Sequence, residues 1–295
     1  MGMNISIKTL FITALVLLLV NSDKASQPKK LPLLYRITKT TSTDTSYLFG
    51  TLHLLESSYV DTMPGVMAAL KRADVVVGEI VLDSTTLGDA MTEMMSGPPL
   101  DSLLSEKDYK LVSKNVQRIA HVPMMYLNRL SPIMIYALLL ESLYQQAHPE
   151  NHQTGIAMDL YFQQFAKEAG KQTMGLELAS DQEALLKDSL PVDDQVEVLL
   201  DIVKDEKKTL KGLDKELNRY ETGHIQQILD DPTTGAMSEA QREVLMYGRN
   251  RKWLTELPDI LNHHNAFIAV GAGHLVGKEG LVEGLRKLGY TVTGQ

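Results

Sequence analysis

The stretch Ala266–Leu275, AFIAVGAGHL, starts as five apolar residues and then breaks into Gly271-Ala272-Gly273 before His274. A short apolar run bounded by glycine reads as a buried strand, and the turn that follows carries the histidine just past the strand's carboxyl end. Tyr47–Leu54, YLFGTLHL, repeats this near the other end of the chain, with Gly50 and His53 in the places of Gly271 and His274. Both stretches contain Gly-x-x-His, and the fold is read outward from the two of them.

Around the first, Leu34–Thr38 and Ser46–Phe49 read as strands. A helix from about Pro64 to Ala73 follows, with Val66, Met67, Leu70 and Ala73 on one face, and Val75-Val76-Val77 reads as a buried strand. Around the second, Ala266–Val270 is a strand, Leu275–Leu288 a helix closed by Gly289, and Tyr290–Thr293 a final strand. Each end therefore predicts strand, Gly-x-x-His, helix, strand, a βαβ-like unit. Between them, about 100–255 reads as mostly helical. Capping-box signatures mark helix starts at Ser105 with Asp108, Ser180 with Glu183 and Ser238 with Gln241, and Ser131-Pro132 opens another. Gln172-Thr173-Met174, after Gly170, is a strand-like run inside that region. The expected class is α/β (α+β), a central mixed sheet built from the N- and C-terminal βαβ-like units with a large helical middle region.

At 295 residues, 44% hydrophobic and 22% charged, the chain has the composition of a globular protein with a sizeable core. A formal net charge of −8 argues against a surface that tracks nucleic-acid phosphates, and favours a peptide or small molecule as partner. Lys8 precedes Leu10–Val20, an apolar run broken only by Thr13, and Val20-Asn21-Ser22 offers modest residues at cleavage spacing. Residues 1–22 thus read as a signal peptide, or as an uncleaved N-terminal anchor, followed by a polar linker at 23–31 and one domain at 32–295. The run is short for a membrane span, so no span is expected once the signal is removed. Export to a bacterial periplasm is the expectation, with tethering by the uncleaved segment as the alternative. The chain has no cysteine, which excludes a lipid-anchored lipoprotein, a disulfide framework and a thiol nucleophile.

Ligands of open α/β sheets bind beyond the carboxyl ends of the strands, where loops are free of ladder bonds. Two further strand ends carry acids after glycine: Gly78-Glu79, and Gly175-Leu176-Glu177. His53, Glu79, Glu177 and His274 on one rim would suit a divalent cation with positions left for water. Glycine before each permits a tight turn and a close approach. A histidine or glutamate after a strand is more often a hydrogen-bonded or solvated residue, and it is the fourfold recurrence that raises the functional reading. Asp159 lies on the apolar row of Ile156, Phe162 and Ala166 in a helix predicted from about Gly155 to Ala169, and a buried carboxylate there needs a partner. In Tyr247–Leu254, YGRNRKWL, Arg249 and Asn250 suit a carboxylate clamp or an attacked carbonyl, or else a solvated helix face with Trp253 as core. No His-Glu-x-x-His, Gly-x-Ser-x-Gly or complete dinucleotide fingerprint occurs.

Taken in order, YLFGTLHLL, ADVVVGEI, GIAMDLYF, MGLELASDQ, GRNRKW and AFIAVGAGHLVG resemble the TraB/GumN family, which includes the Tiki proteases of animals. The resemblance covers essentially the whole chain after the signal, and the ordered set is specific where one motif is not. It implies a divalent-metal-dependent peptidase, with manganese or cobalt favoured and zinc admissible. Carried over, it implies His53, Glu79 and His274 as metal ligands, with Glu177, Asp159, Arg249 and Asn250 lining the site and Gly50, Gly271 and Gly273 supporting it. The expected mechanism is a metal-activated water attacking a peptide bond, with Glu79 or Glu177 as general base and Arg249 or Asn250 at the oxyanion. Two alternatives stand beside it. One is an esterase-like hydrolase using histidine and glutamate without metal; the other is a non-catalytic protein that sequesters a peptide.

Overall fold

The computed structural model describes residues 30–39, 45–63, 65–81, 97–149, 156–230 and 238–295. The signal-like segment 1–22 and Pro64 lie outside the described residues, as do Gly155 and most of the linker. Leu31 already packs against the core and donates its N–H to the Gly223 carbonyl at 2.8 Å.

Six strands form one mixed sheet: β1 (Leu34–Thr38), β2 (Thr45–Thr51), β3 (Val75–Gly78), β4 (Gln172–Gly175), β5 (Ala266–Gly271) and β6 (Thr291–Gly294). Their order is β4-β3-β5-β2-β1-β6. The four strands from β4 to β2 are parallel, and β1 runs antiparallel between β2 and β6. The mixed sheet is as expected, but the two βαβ units do not lie side by side. They interleave, because β5 inserts between β2 and β3, the two strands of the N-terminal unit. The middle strands are covered on both faces, which is why Val75–Val77 and Ala266–Val270 are continuous apolar runs rather than alternating ones.

The helices are α1 (Val66–Arg72), α2 (Glu106–Ile119), α3 (Pro132–Ala147), α4 (Met158–Glu168), α5 (Ala179–Ser189), α6 (Val192–Lys204), α7 (Glu206–Glu221), α8 (Gly248–His263) and α9 (Leu281–Lys287), with shorter turns between. α4 packs on β3, β4 and β5, and its Phe162 meets Phe49 and Phe267 at centroid distances of 5.6 and 5.0 Å. Here the sheet and the middle region share one core. α6 packs against α2, α3 and α7 as a separate helical layer. Ser105 caps α2 by accepting from the Asp108 N–H, and Ser238 with Gln241 forms a complete capping box.

Three boundaries differ from expectation. α5 begins at Ala179, so Ser180 lies inside its first turn rather than before it. The helix opened by Ser238 does not run evenly into α8, since Glu243–Tyr247 forms a π turn in which Gly248 N–H bonds back to the Glu243 carbonyl. After β5 the chain makes a single 3-10 turn, Ala272–Leu275, and α9 starts only at Leu281. Gly277, at φ 83°, stops helix growth between them.

Candidate active site

Parallel pairing of β2, β5, β3 and β4 delivers their carboxyl ends to one edge of the sheet, and with them His53, His274, Glu79 and Glu177. The last pair continues beyond the ladder, where Leu176 N–H donates to the Gly78 carbonyl at 3.0 Å and Glu177 N–H to the Glu79 carbonyl at 2.9 Å. The two Gly-x-x-His turns touch. A Cβ on Gly50 would lie 2.9 Å from the Ala272 Cα, so only glycine lets the backbones meet. Gly273 packs under the Met246 methyl of the π turn, 2.9 Å from where its Cβ would be, a flexible side-chain end that can move aside. Neither glycine has positive φ, so at Gly50 close approach of backbone, not turn geometry, is what requires glycine. Gly271 contributes its backbone, donating N–H to Glu79 Oε1 at 2.8 Å.

Arg249 is the hub of this edge and is only 3% exposed. Its Nε donates to both Glu177 oxygens at 3.1 Å, and its Nη2 to Glu79 and Glu177 at 2.5 Å each. Its Nη1 donates to the Leu245 carbonyl at 3.1 Å, inside the π turn, and to His274 Nε2 at 3.0 Å. A guanidinium has five N–H groups, and all five are used. Because Arg249 can only donate, His274 Nε2 accepts, and the ring proton is on Nδ1, which donates to Asn250 Oδ1 at 2.7 Å. The Asn250 amide donates in turn to the His274 and Glu279 carbonyls. Trp253 lies against both, its ring 4.5 Å from that of His274 and 4.7 Å from the guanidinium. Arg249 and Asn250 are thus held inside the fold rather than on a solvated helix face. Their hydrogen bonds leave no N–H for an oxyanion.

His53 shares no hydrogen bond with this cluster among the described residues, but it is near enough for charge to act between it and Glu79, Arg249 and His274. Its Nδ1 meets Asp159 Oδ2 at 2.8 Å, and the other Asp159 oxygen accepts from Thr51 Oγ1 at 2.7 Å. The helical row that puts Asp159 among apolar residues also puts it in the first turn of α4, where a negative charge suits the helix dipole. The two side chains remain 13% and 12% exposed, and among the described residues His53 Nε2 has no hydrogen-bond partner.

The titrations follow from these contacts. Burial and then the Arg249 charge push His274 down to about 3, so it is neutral at any working pH. Burial alone would raise the Glu79 carboxyl, but Arg249 and the Gly271 N–H hold it well below the usual carboxylate range. Burial raises Glu177 in spite of Arg249. For His53 burial acts downward, but the Asp159 carboxylate, by charge and hydrogen bond, together with Glu79, leaves the imidazole above its ordinary value.

The structure therefore brings the expected residues into two groups, His53 with Asp159, and His274 with Glu79, Glu177, Arg249 and Asn250. Sequence reasoning missed Thr51 and Gln182. The Gln182 amide donates to Glu79 Oε2 and Glu177 Oε1, at 3.1 Å each. Its position in the first turn of the helix after an acidic strand end was the available signal. As arranged, the donor set does not fit the ion expected on His53, His274 and Glu79. Among the described residues no three His, Asp or Glu side chains are grouped to hold a cation, and His274 Nε2 and Glu79 already receive a permanent guanidinium charge.

No curated protein and no solved structure matches the chain. The TraB/PrgY/gumN family model matches residues 33–294, from the residue before β1 to the last residue of β6. That span holds every residue of both groups, and the chain belongs to the TraB/PrgY/gumN family.

Proposed function

We propose that the protein is a hydrolase of ester or amide carbonyls in which His53 is the general base and Asp159 its orienting partner. The observation that carries this reading is a division of labour. Arg249, Asn250 and His274 spend their hydrogen bonds on one another and on Glu79 and Glu177, whereas His53, partly exposed, has no partner at Nε2 among the described residues. Asp159 fixes the tautomer with the proton on Nδ1 and stabilises the imidazolium once it forms, so Nε2 takes a proton from water as the water attacks the carbonyl. The same proton then passes to the leaving alkoxide or amine. The buried cluster keeps the two Gly-x-x-His turns in register and is the rigid floor of the site. Glu79 is too weakly basic for the role of base, and both glutamates face Arg249.

A second reading, metal-assisted peptide hydrolysis, rests on one feature: a carboxylate on Nδ1 is also how metal-ligating histidines are oriented. One experiment separates the two. The purified full-length chain is assayed against nitrophenyl esters and a peptide mixture, before and after chelation, with elemental analysis of the same preparation. The acid–base reading expects turnover that survives chelation and falls at least about a hundredfold in folded His53→Ala. Turnover that vanishes on chelation and returns with manganese or cobalt would overturn it in favour of metal. Peptides recovered intact throughout, with no ester cleaved even by metal-loaded protein, would overturn both hydrolytic readings and favour a protein that sequesters a peptide.

A further inference from the structure

The turn that carries His53 is gripped at each of its four residues, and three grips come from α4 and its own neighbourhood. Thr51 and His53 hold Asp159, and the Leu52 N–H donates to Met158 Sδ at 3.4 Å. The fourth comes from the helical layer. Tyr220, near the end of α7, is fully buried and donates its hydroxyl to the Gly50 carbonyl at 2.7 Å, the first peptide of Gly-x-x-His. Gly50 is still held by the sheet on its other sides, its N–H donating in register to the Leu33 carbonyl at 2.9 Å and its backbone pairing with Val270 of β5. The same hydroxyl lies 3.8 Å from Met158 Sδ, so Tyr220 touches both the turn and the residue that precedes Asp159. Burial raises the Tyr220 phenol well above its usual value, which keeps it a donor at every working pH.

We propose that Tyr220 is a positioning residue for His53, its hydroxyl fixing the Gly50 peptide so that the imidazole and Asp159 meet in hydrogen-bonding geometry. The helical middle region thereby sets the reactivity of a base carried by the sheet. This rests on the reading of His53 as base, but the geometric part stands without it. Gly50 is buried and its carbonyl accepts from Tyr220, so Tyr220 acts through the turn.

The test uses the full-length chain labelled with 13C-histidine, in which NMR follows the His53 ring through a pH titration while turnover is measured on the same samples. Tyr220→Phe keeps the ring and removes only the hydroxyl. The expected result is a His53 midpoint displaced downward, because the contact with Asp159 loosens, together with a fall of about tenfold in kcat at little change in KM. Tyr59→Phe, which removes the hydroxyl of the ring tilted at 47° to Tyr220 with centroids 6.2 Å apart, should leave both unchanged. A Tyr220→Phe chain that is merely less stable, with the His53 midpoint and kcat both as in the parent, overturns the proposal. Should that variant not fold, 3-fluorotyrosine placed at 220 alters the donor strength while keeping the hydroxyl, and an unmoved His53 midpoint overturns the proposal again. If His53→Ala retains activity while the midpoint still moves in Tyr220→Phe, the catalytic reading fails and the positioning contact survives.

Discussion

At the scale of single residues, the site turns on which nitrogen of each imidazole is free. His274 has neither, since Nε2 accepts from Arg249 and Nδ1 donates to Asn250. Among the described residues nothing pairs with His53 Nε2, and the raised pKa of this imidazole gives a pH signature. A base works only when unprotonated, so kcat/KM should fall as pH drops through a midpoint above the ordinary 6.5. Asp159→Asn removes the carboxylate that raises it, leaving burial to push the imidazole down. The acid limb should then move below 6.5, and because an amide can donate to Nδ1 and force the proton onto Nε2, the plateau rate should drop about a hundredfold or more. A pH–rate profile of the two chains checks both effects; an acid limb that does not move would remove Asp159 from the role. The pairing of the two histidines is legible in the sequence because Gly-x-x-His repeats at two strand ends. Their different fates are not, because they depend on Arg249, Asn250 and Asp159, which come from distant helices.

Elements explain why Arg249 occupies the centre. It is carried by α8 directly after the π turn Glu243–Tyr247, and it joins α8 to the segments after β3, β4 and β5. π turns commonly mark functional positions, and this one also supplies the Leu245 carbonyl to Nη1 and the Met246 methyl against Gly273. No periodicity in GRNRKWL announces such a turn, so the stretch reads equally well as a solvated face. Arg249→Met would leave the Glu79 and Glu177 carboxylates buried without a cation, at a cost of about 3–5 kcal/mol at neutral pH. With the guanidinium gone, burial raises both carboxyl groups above their unfolded values. The loss should therefore be full at neutral pH and shrink as pH falls toward the carboxylate range, where both become protonated. Urea unfolding at neutral and mildly acid pH measures this; an equal loss at both would mean that Arg249 contributes packing rather than charge.

The whole molecule places the site by strand order. Each strand, most helices and several caps can be read locally, because they depend on apolar runs, period and terminal residues. The interleaving of β5 between β2 and β3 cannot, because parallel neighbours are chosen by contacts between the two ends of the chain. That choice brings the two Gly-x-x-His turns into contact, and it makes the floor of the site part of the core. Acid stability should reflect this. The His274 imidazole is near 6.5 when unfolded and about 3 when folded, so between those values the unfolded chain binds a proton that the native chain refuses. The free energy of unfolding then falls as pH falls, by up to about 1.4 kcal/mol per pH unit from this residue alone. Glu79, held low in the native state, acts in the same direction once its unfolded value near 4.5 is reached. His53 acts oppositely, since its raised native value favours the folded chain at low pH and that contribution is lost as pH rises through it. Over pH 6.5 to 5 the His274 slope is isolated from Glu79 but opposed by His53, by Glu141, which burial pushes up to about 7, and by Glu177, which burial also raises. Because the opposing groups are common to both chains, denaturant titrations across that interval should show the parent losing more stability toward acid, or gaining less, than His274→Gln. The same pH dependence of stability in parent and variant would show that His274 does not remain neutral in the native state.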